Sequence, residues 1–378
     1  MVIKNLKKAA ERILKAVRGS ERIILYGDGD LDGVTSVIIL KETIKTLGGK
    51  VSSIYFPDRE IEGHGVTRKA LDFLKKFSPA LLIAMDCGIG NFKEIKEAKK
   101  LGFSVIVVDH HKVLDKLPEA DIIVDPKQKG DEYPFKELAA VGIVFKLSKL
   151  LLKEKMTESL RKNFLELVAL ATVADMMPKV DENKIFIEEG LGSLKNSWRP
   201  GIKALFEADF LKDYNLHEKV SKIISMLNIR DVEKKLPGSF YILTNSSPQE
   251  LSGLIANLIE KQKIRKGKIK DILEEIERRI SKSQDPIIFE GDSRWDYPLI
   301  SYIGSIVCRD FKKPTFVFKK LKEESQGTVR VPSGIDSVSL MGKCRDLLIT
   351  YGGHAKASGF RLKNENLEKF KSCLIKNL

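Results

Sequence analysis

The chain has 378 residues, 43% of them hydrophobic and 31% charged, and its 66 lysines and arginines against 52 acids give a net charge of +14. That length calls for two compact domains, each burying its own core, and the composition excludes a disordered polymer. A cationic surplus suits a polyanionic partner, nucleic acid first among them, although a lysine-rich surface serving solubility or heat stability leaves the same balance.

The opening stretch, MVIKNLKKAAERILKAV, has the spacing of an amphipathic helix and lacks a signal-peptide core. No apolar run approaches the ~18 residues of a membrane span, so the expectation is an intracellular, cytoplasmic protein. The first 125 residues then alternate strands and helices. RIILY, VSSIYF, ALLIAMD, FSVIVVD and ADIIVD read as strands; VTSVIILKETIKTLGG, TRKALDFLKKF and NFKEIKEAKKLG read as the helices between them. Continuous Ile/Val/Leu strands separated by helices predict an α/β domain whose parallel sheet is covered by helices on both faces. Functional groups in such sheets gather at the C-terminal ends of the strands. The acids follow that rule: Asp28 comes after the first strand, Asp86 ends LLIAMD and Asp109 ends VIVVD.

From Phe135 to Leu227 the pattern turns helical, and Ser246 to Ile280 reads as one long charged helix with Pro248 in its first turn. Alternation resumes after SQDP with IIFEG, PTFVF and GTVRV as strands and helices near LISYIGSIVCRDF and SVSLMGKCRDLLITYGG. The expected organisation is a first domain over residues 1–237, a connector with the long helix over 238–284, and a smaller α/β domain over 285–378. Cys87, Cys308, Cys344 and Cys373 stand far apart with no C-x-x-C pair, which argues against a zinc knuckle and against a disulfide framework.

The stretch YGDGDLDGVTS packs Asp28, Asp30 and Asp32 into five residues. Carboxylates this close repel and raise one another's pKa unless something neutralises them. A calcium loop of the EF-hand type needs a Glu at its twelfth position, and counting from Asp28 places Ile39 there. Solvated turn chemistry accounts for Asp and Gly at a turn, but not for Asp86 in MDCGIG, for Asp109, His110 and His111 in VVDHHKV, or for Asp175 in TVADMMP. Two of only five histidines stand side by side after a buried strand. Oxygen and imidazole donors without thiolates suit Mn²⁺, with Mg²⁺ as the alternative. So many acids imply two ions sharing a bridging carboxylate, the arrangement that activates water and clamps a phosphoryl group.

These motifs resemble the DHH phosphoesterase superfamily, and most of all its RecJ-like single-strand exonucleases. FPDREIEGHGVT, YPFKELAAVGIVFKL, LVALATVADMMP and RPGIKAL fall in the expected order, and YGGHAKASGF resembles the G-G-H motif of the DHH-associated domain. The resemblance implies Asp28, Asp30 and Asp86 as ligands of one ion and Asp32, Asp86, His110 and Asp175 as ligands of the other. It implies that Asp109 orients His110 and that His111 faces the scissile phosphate. In the second domain, Arg330, Gly352, Gly353 and His354 would hold substrate phosphates across an interdomain cleft.

The chain also departs from bacterial RecJ. His64 stands where Tyr is usual, GDSRWDYPLISYIGS lacks the usual Trp-His-x-Gly, and only 18 residues follow Phe360, so the oligonucleotide-binding barrel is expected to be missing, as in archaeal short forms. The function implied is a metal-dependent exonuclease releasing nucleotides from single-stranded DNA or RNA, at work in DNA repair or replication and associated with the nucleoid. Two alternatives keep the fold: a nanoRNase or cyclic-dinucleotide phosphodiesterase, and a replisome scaffold that binds GINS.

Overall fold

Five short runs rich in Ile, Val and Leu form the first sheet: β1 (Ile23–Gly27), β2 (Val51–Tyr55), β3 (Ala80–Met85), β4 (Phe103–Val108) and β5 (Ile122–Val124). All are parallel, in the order β2-β1-β3-β4-β5. Alternate residues along a strand face opposite sides, and both sides are apolar here. Leu25, Ile83, Ile106 and Val108 pack on one face against α1 (Leu6–Arg18), α2 (Leu31–Thr46) and the helices that follow the sheet. Ile24, Leu82, Ala84 and Val107 pack on the other against α3 (Arg68–Leu74) and α4 (Phe92–Lys100). This is the doubly wound sheet expected from the sequence.

The strand order reverses between β1 and β3, and the crevice outside the strand ends at such a switch point is where open α/β sheets bind ligands. Register aligns those ends. Gly27 lies level with Met85, Met85 with Val108 and Val108 with Val124. The ladder runs one residue further, the N–H groups of Asp28, Asp86 and Asp109 donating to the carbonyls of Met85, Val108 and Val124. Three acids from separate strands therefore stand in one row.

The helical region that follows comprises α5 (Ala140–Leu152), α6 (Glu158–Ala174), α7 (Asp181–Ser193), α8 (Pro200–Phe206), α9 (Leu216–Leu227) and α10 (Gly238–Thr244), with a short antiparallel ribbon of β6 (Val232–Glu233) and β7 (Leu236–Pro237). The long helix α11 (Pro248–Ile280) crosses the boundary between two compact units, residues 1–259 and 260–378. The structure, a computed structural model, describes residues 2–59, 61–113, 116–229, 232–233, 236–281 and 283–378. No described helix is long and apolar enough to cross a membrane.

The second unit holds a mixed sheet, β11-β12-β10-β9-β8, from β8 (Ile288–Asp292), β9 (Thr315–Lys320), β10 (Glu324–Arg330), β11 (Thr350–His354) and β12 (Ala357–Lys363). Only the β8–β9 pair is parallel. Its helices are α12 (Tyr297–Phe311), α13 (Ser337–Gly342) and α14 (Leu367–Lys376). Two sequence expectations need correction here. The helix expected near SVSLMGKCRDLLITYGG is present but short, ending at Gly342, because Thr350 and Tyr351, residues of high strand propensity, pair instead with Arg361 and Phe360. Cys344 and Cys373 form a disulfide, their Cα atoms 6.1 Å apart. Spacing along the chain could not reveal it, since α14 packs Phe370 and Leu374 onto the sheet and so returns Cys373 to Cys344.

Candidate metal centre

The turn between β1 and α2 builds the first part of the site. Asp30 is the N-cap of α2, accepting from the Gly33 N–H at 3.3 Å. Asp32, in the first turn, turns its carboxylate to a second helix start: its two oxygens accept from the N–H groups of Ala140 and Val141, at 2.8 and 2.7 Å, where α5 begins. Helix N-termini favour negative charge, so two of them stabilise these carboxylates before any ion arrives. Gly33 lets the turn pack this tightly, since a Cβ there would lie 2.4 Å from the Asp28 carbonyl oxygen. Asn228, at the end of α9, accepts from the Leu31 N–H at 3.0 Å and pins the middle of the turn.

Asp86 comes from the end of β3 with φ of +59°, a left-handed conformation that Asp tolerates better than most residues. Asp175 caps the C-terminus of α6, and His110 follows β4. The fold brings all of them together. Asp28, Asp30 and Asp86 form one group, Asp32, His110 and Asp175 a second, and Asp86, His110 and His111 a third; within each, ligand atoms lie within 4.8 Å of one another. His110 Nε2 stands 3.3 Å from Asp86, 3.5 Å from Asp175 and 3.7 Å from Asp32.

The donor set fits divalent cations. Both ring nitrogens of His110 are buried without a hydrogen-bond partner among the described residues, although carboxylates surround Nε2. Burial, followed by the charge on His111, pushes His110 down to about 3, leaving the neutral imidazole that binds metals. Burial, followed by neighbouring carboxylates, pushes Asp32 and Asp86 well above the ordinary carboxylate range. A cluster so unfavourable to its own charge calls for cations, and oxygen and imidazole donors without thiolates suit Mn²⁺ or Mg²⁺.

The role expected of Asp109 is corrected. It does not bond to the His110 ring; its Oδ1 meets His111 Nδ1 at 2.8 Å and accepts the backbone N–H of both histidines, while Oδ2 accepts from Ile89. Side chains two apart in extended chain leave on the same side, which sends Asp109 to His111 rather than to its immediate neighbour. Burial opposes a charge on His111, but the hydrogen bond and charge of Asp109 prevail and raise it to about 9. His111 is thus a half-exposed cation beside the acid cluster.

Sequence reasoning missed Arg59 and Asp125. Arg59 Nε donates to Asp28 Oδ1 at 2.9 Å, Nη2 donates to Asp28 Oδ2, and Nη2 lies 3.6 Å from Asp30. A cation in the loop after β2, the strand beside β1, was the available signal. Asp125 follows β5 in the same row of strand ends; Oδ1 accepts from the Lys127 N–H, and buried Oδ2 has no hydrogen-bond partner among the described residues. His64 Nδ1 stands 3.8 Å from Asp28, and its ring lies 6.1 Å from that of His111.

The expected phosphate-binding residues belong to the second unit. Arg330 donates to the hydroxyls of Ser301, Ser305 and Thr328 and to the Val329 carbonyl, and burial lowers its pKa. Gly352 and Gly353 lie on β11, Gly353 with φ of +134°. The His354 backbone pairs with Ala357; its side chain lies outside the described structure.

Residues 22–172 match the DHH family, N-terminal domain. Over 98% of its length the chain is 33% identical to the single-stranded-DNA-specific exonuclease RecJ of Bacillus subtilis. The chain carries a DHH-type domain and is similar to RecJ. It spans 47% of that Bacillus relative. A structure of RecJ in complex with Mn²⁺ from Thermus thermophilus superposes with a TM-score of 0.84 at 25% identity, covering 100% of this RecJ-like chain and 55% of that one. A crystal structure of exonuclease RecJ bound to manganese gives a TM-score of 0.81, also at 25% identity, covering 100% of this chain and 94% of that one.

Proposed function

We propose that this RecJ-like chain is a divalent-cation-dependent exonuclease that releases nucleotides from single-stranded DNA or RNA by hydrolysis at a two-ion centre. The observation that carries the proposal is the convergence of Asp30, His110 and Asp175, far apart along the chain, on a site where the His110 ring nitrogens lack hydrogen-bond partners among the described residues. Asp28, Asp30 and Asp86 would hold one ion and Asp32, Asp86, His110 and Asp175 the other, Mn²⁺ being the ion in two similar RecJ structures. Such ions supply charge neutralisation at the phosphate and a water of lowered pKa.

The remaining work falls to the protein's own groups. Asp109 fixes the His111 ring and sustains its charge, so His111 presents a cation to the phosphate. Asp32, tied to the start of α5, holds its carboxylate in place while the site is loaded. Arg330, bonded to neutral hydroxyls, and the glycines of β11 would bind substrate phosphates. The net charge of +14 adds salt-dependent attraction for a polyanion. A partnership with GINS rests on the resemblance alone, and a pull-down tests it.

The test is a time course with end-labelled single-stranded DNA and RNA in Mn²⁺ and then Mg²⁺, beside a two-nucleotide RNA. Mononucleotides should leave the long strands, and Asp86→Asn should abolish their release. Cleavage of the dinucleotide alone would make the chain a nanoRNase; full activity in the variant would remove the shared-ligand role of Asp86.

A further inference from the structure

The two halves of the acid cluster are not equally ready for a cation. Around His110 the ring nitrogens stand without hydrogen-bond partners among the described residues, Nε2 within 3.7 Å of Asp32, Asp86 and Asp175. At the Asp28–Asp30–Asp86 group a protein cation is already in place. The planar fork of Arg59 grips both oxygens of Asp28, and its Nη2 also lies 3.6 Å from Asp30 Oδ2. That nitrogen stands between two of the three carboxylates an ion there would need. Two cations competing for the same oxygens repel at short range, the more so away from bulk water.

We infer that Arg59 is a latch on the Asp28–Asp30–Asp86 position, so that divalent ions enter in order. The first is held by Asp32, His110 and Asp175. The second binds more weakly, because Arg59 must first release Asp28. The inference rests on the two-ion reading proposed above. Arg59 is a quarter exposed, so its guanidinium has room to leave Asp28 without leaving the site. The anion at hand there is a substrate phosphate, which the same fork matches as well as it matches a carboxylate. Arg59 is thus a positioning residue that couples completion of the centre to substrate.

The test needs no turnover. Mn²⁺ is titrated into the metal-stripped 378-residue chain, and the loss of the aqueous Mn²⁺ resonance signal gives the number and affinity of sites. Wild type should take up one ion tightly and a second more weakly. Arg59→Gln should tighten the second by about tenfold and leave the first unchanged. Arg59→Lys, which keeps the charge without the fork, should fall between. In chelator, Arg59→Gln should melt below wild type, and Mn²⁺ should raise its melting temperature by more than it raises that of wild type. Should the glutamine chain not fold, the lysine chain decides by the same comparison. Equal second-ion affinities, or a weaker second ion in the variants, overturn the latch. A wild-type chain that takes up no Mn²⁺ overturns the metal centre itself, a different and recognisable result.

Discussion

Asp109 and Asp125 sit at the ends of neighbouring strands and meet opposite fates. Asp109 has His111 and three backbone N–H groups, which together hold its carboxyl well below its ordinary value despite burial. Asp125 has one N–H donor, and burial, reinforced by the charge of Asp109, pushes it up to about 7. A carboxyl raised on folding stabilises the protein while it is protonated. That contribution is complete below the ordinary carboxylate range and is lost as the pH climbs through about 7. Asp125→Asn keeps an acceptor for Lys127 and carries no charge at any pH. It should therefore gain about 1–2 kcal/mol over wild type at pH 8 and nothing near pH 4, as read by urea unfolding at the two values. A difference independent of pH would mean that Asp125 is not the titrating group. The contrast also shows what residue types reveal. Asp28, Asp30, Asp32, Asp86, His110 and Asp175 were legible because acids and imidazoles at strand ends announce a cation. Arg59 and Asp125 were not, because a lone Arg or Asp in a loop looks the same whether it is solvated or buried.

At the scale of elements, the site is made by two helix starts meeting a row of strand ends. The strands and their alternation with helices were readable from apolar runs, and so was the rule that acids at strand ends converge. What the runs did not contain is how the long-range caps are shared. Asp32 serves the start of α5, 108 residues away, and Asn228 serves the start of α2, 197 residues away. Asn228→Ala leaves the Leu31 N–H without its acceptor and should cost about 1 kcal/mol of stability. The Asp30–Asp32 turn would loosen with it, so the variant should also bind Mn²⁺ more weakly in a titration followed by resonance. An unchanged affinity beside lowered stability would confine Asn228 to the fold. The short α13 teaches the same lesson from the other side. Its apolar spacing continued past Gly342, but strand pairing with β12 claimed Thr350 and Tyr351.

Over the whole molecule, the boundary between the two compact units falls inside α11, at residues 259–260, where the sequence pattern does not change, and the sequence does not say what closes the second unit. The first unit rests on a parallel sheet buried on both faces, which continuous Ile/Val/Leu runs announce. The second has a mixed sheet whose aromatic core, Phe316, Phe318, Phe360 and Phe370, draws on strands and on the last helix alike. Its disulfide closes a 29-residue span of chain, from Cys344 beside α13 to Cys373 on α14. A cross-link of that span restricts the unfolded chain and is worth about 3.5 kcal/mol in the loop-entropy account. Cys373→Ser should lower stability by about that amount. Because the bond ties α14 to the segment after α13, the loss should be local before it is global. Backbone amides of α14 and of β11 should exchange with deuterium faster in the variant, and equally fast in wild type treated with dithiothreitol. If reduction left those amides as protected as before, packing of Phe370 and Leu374 alone would be holding α14 in place, and the disulfide would add nothing to it.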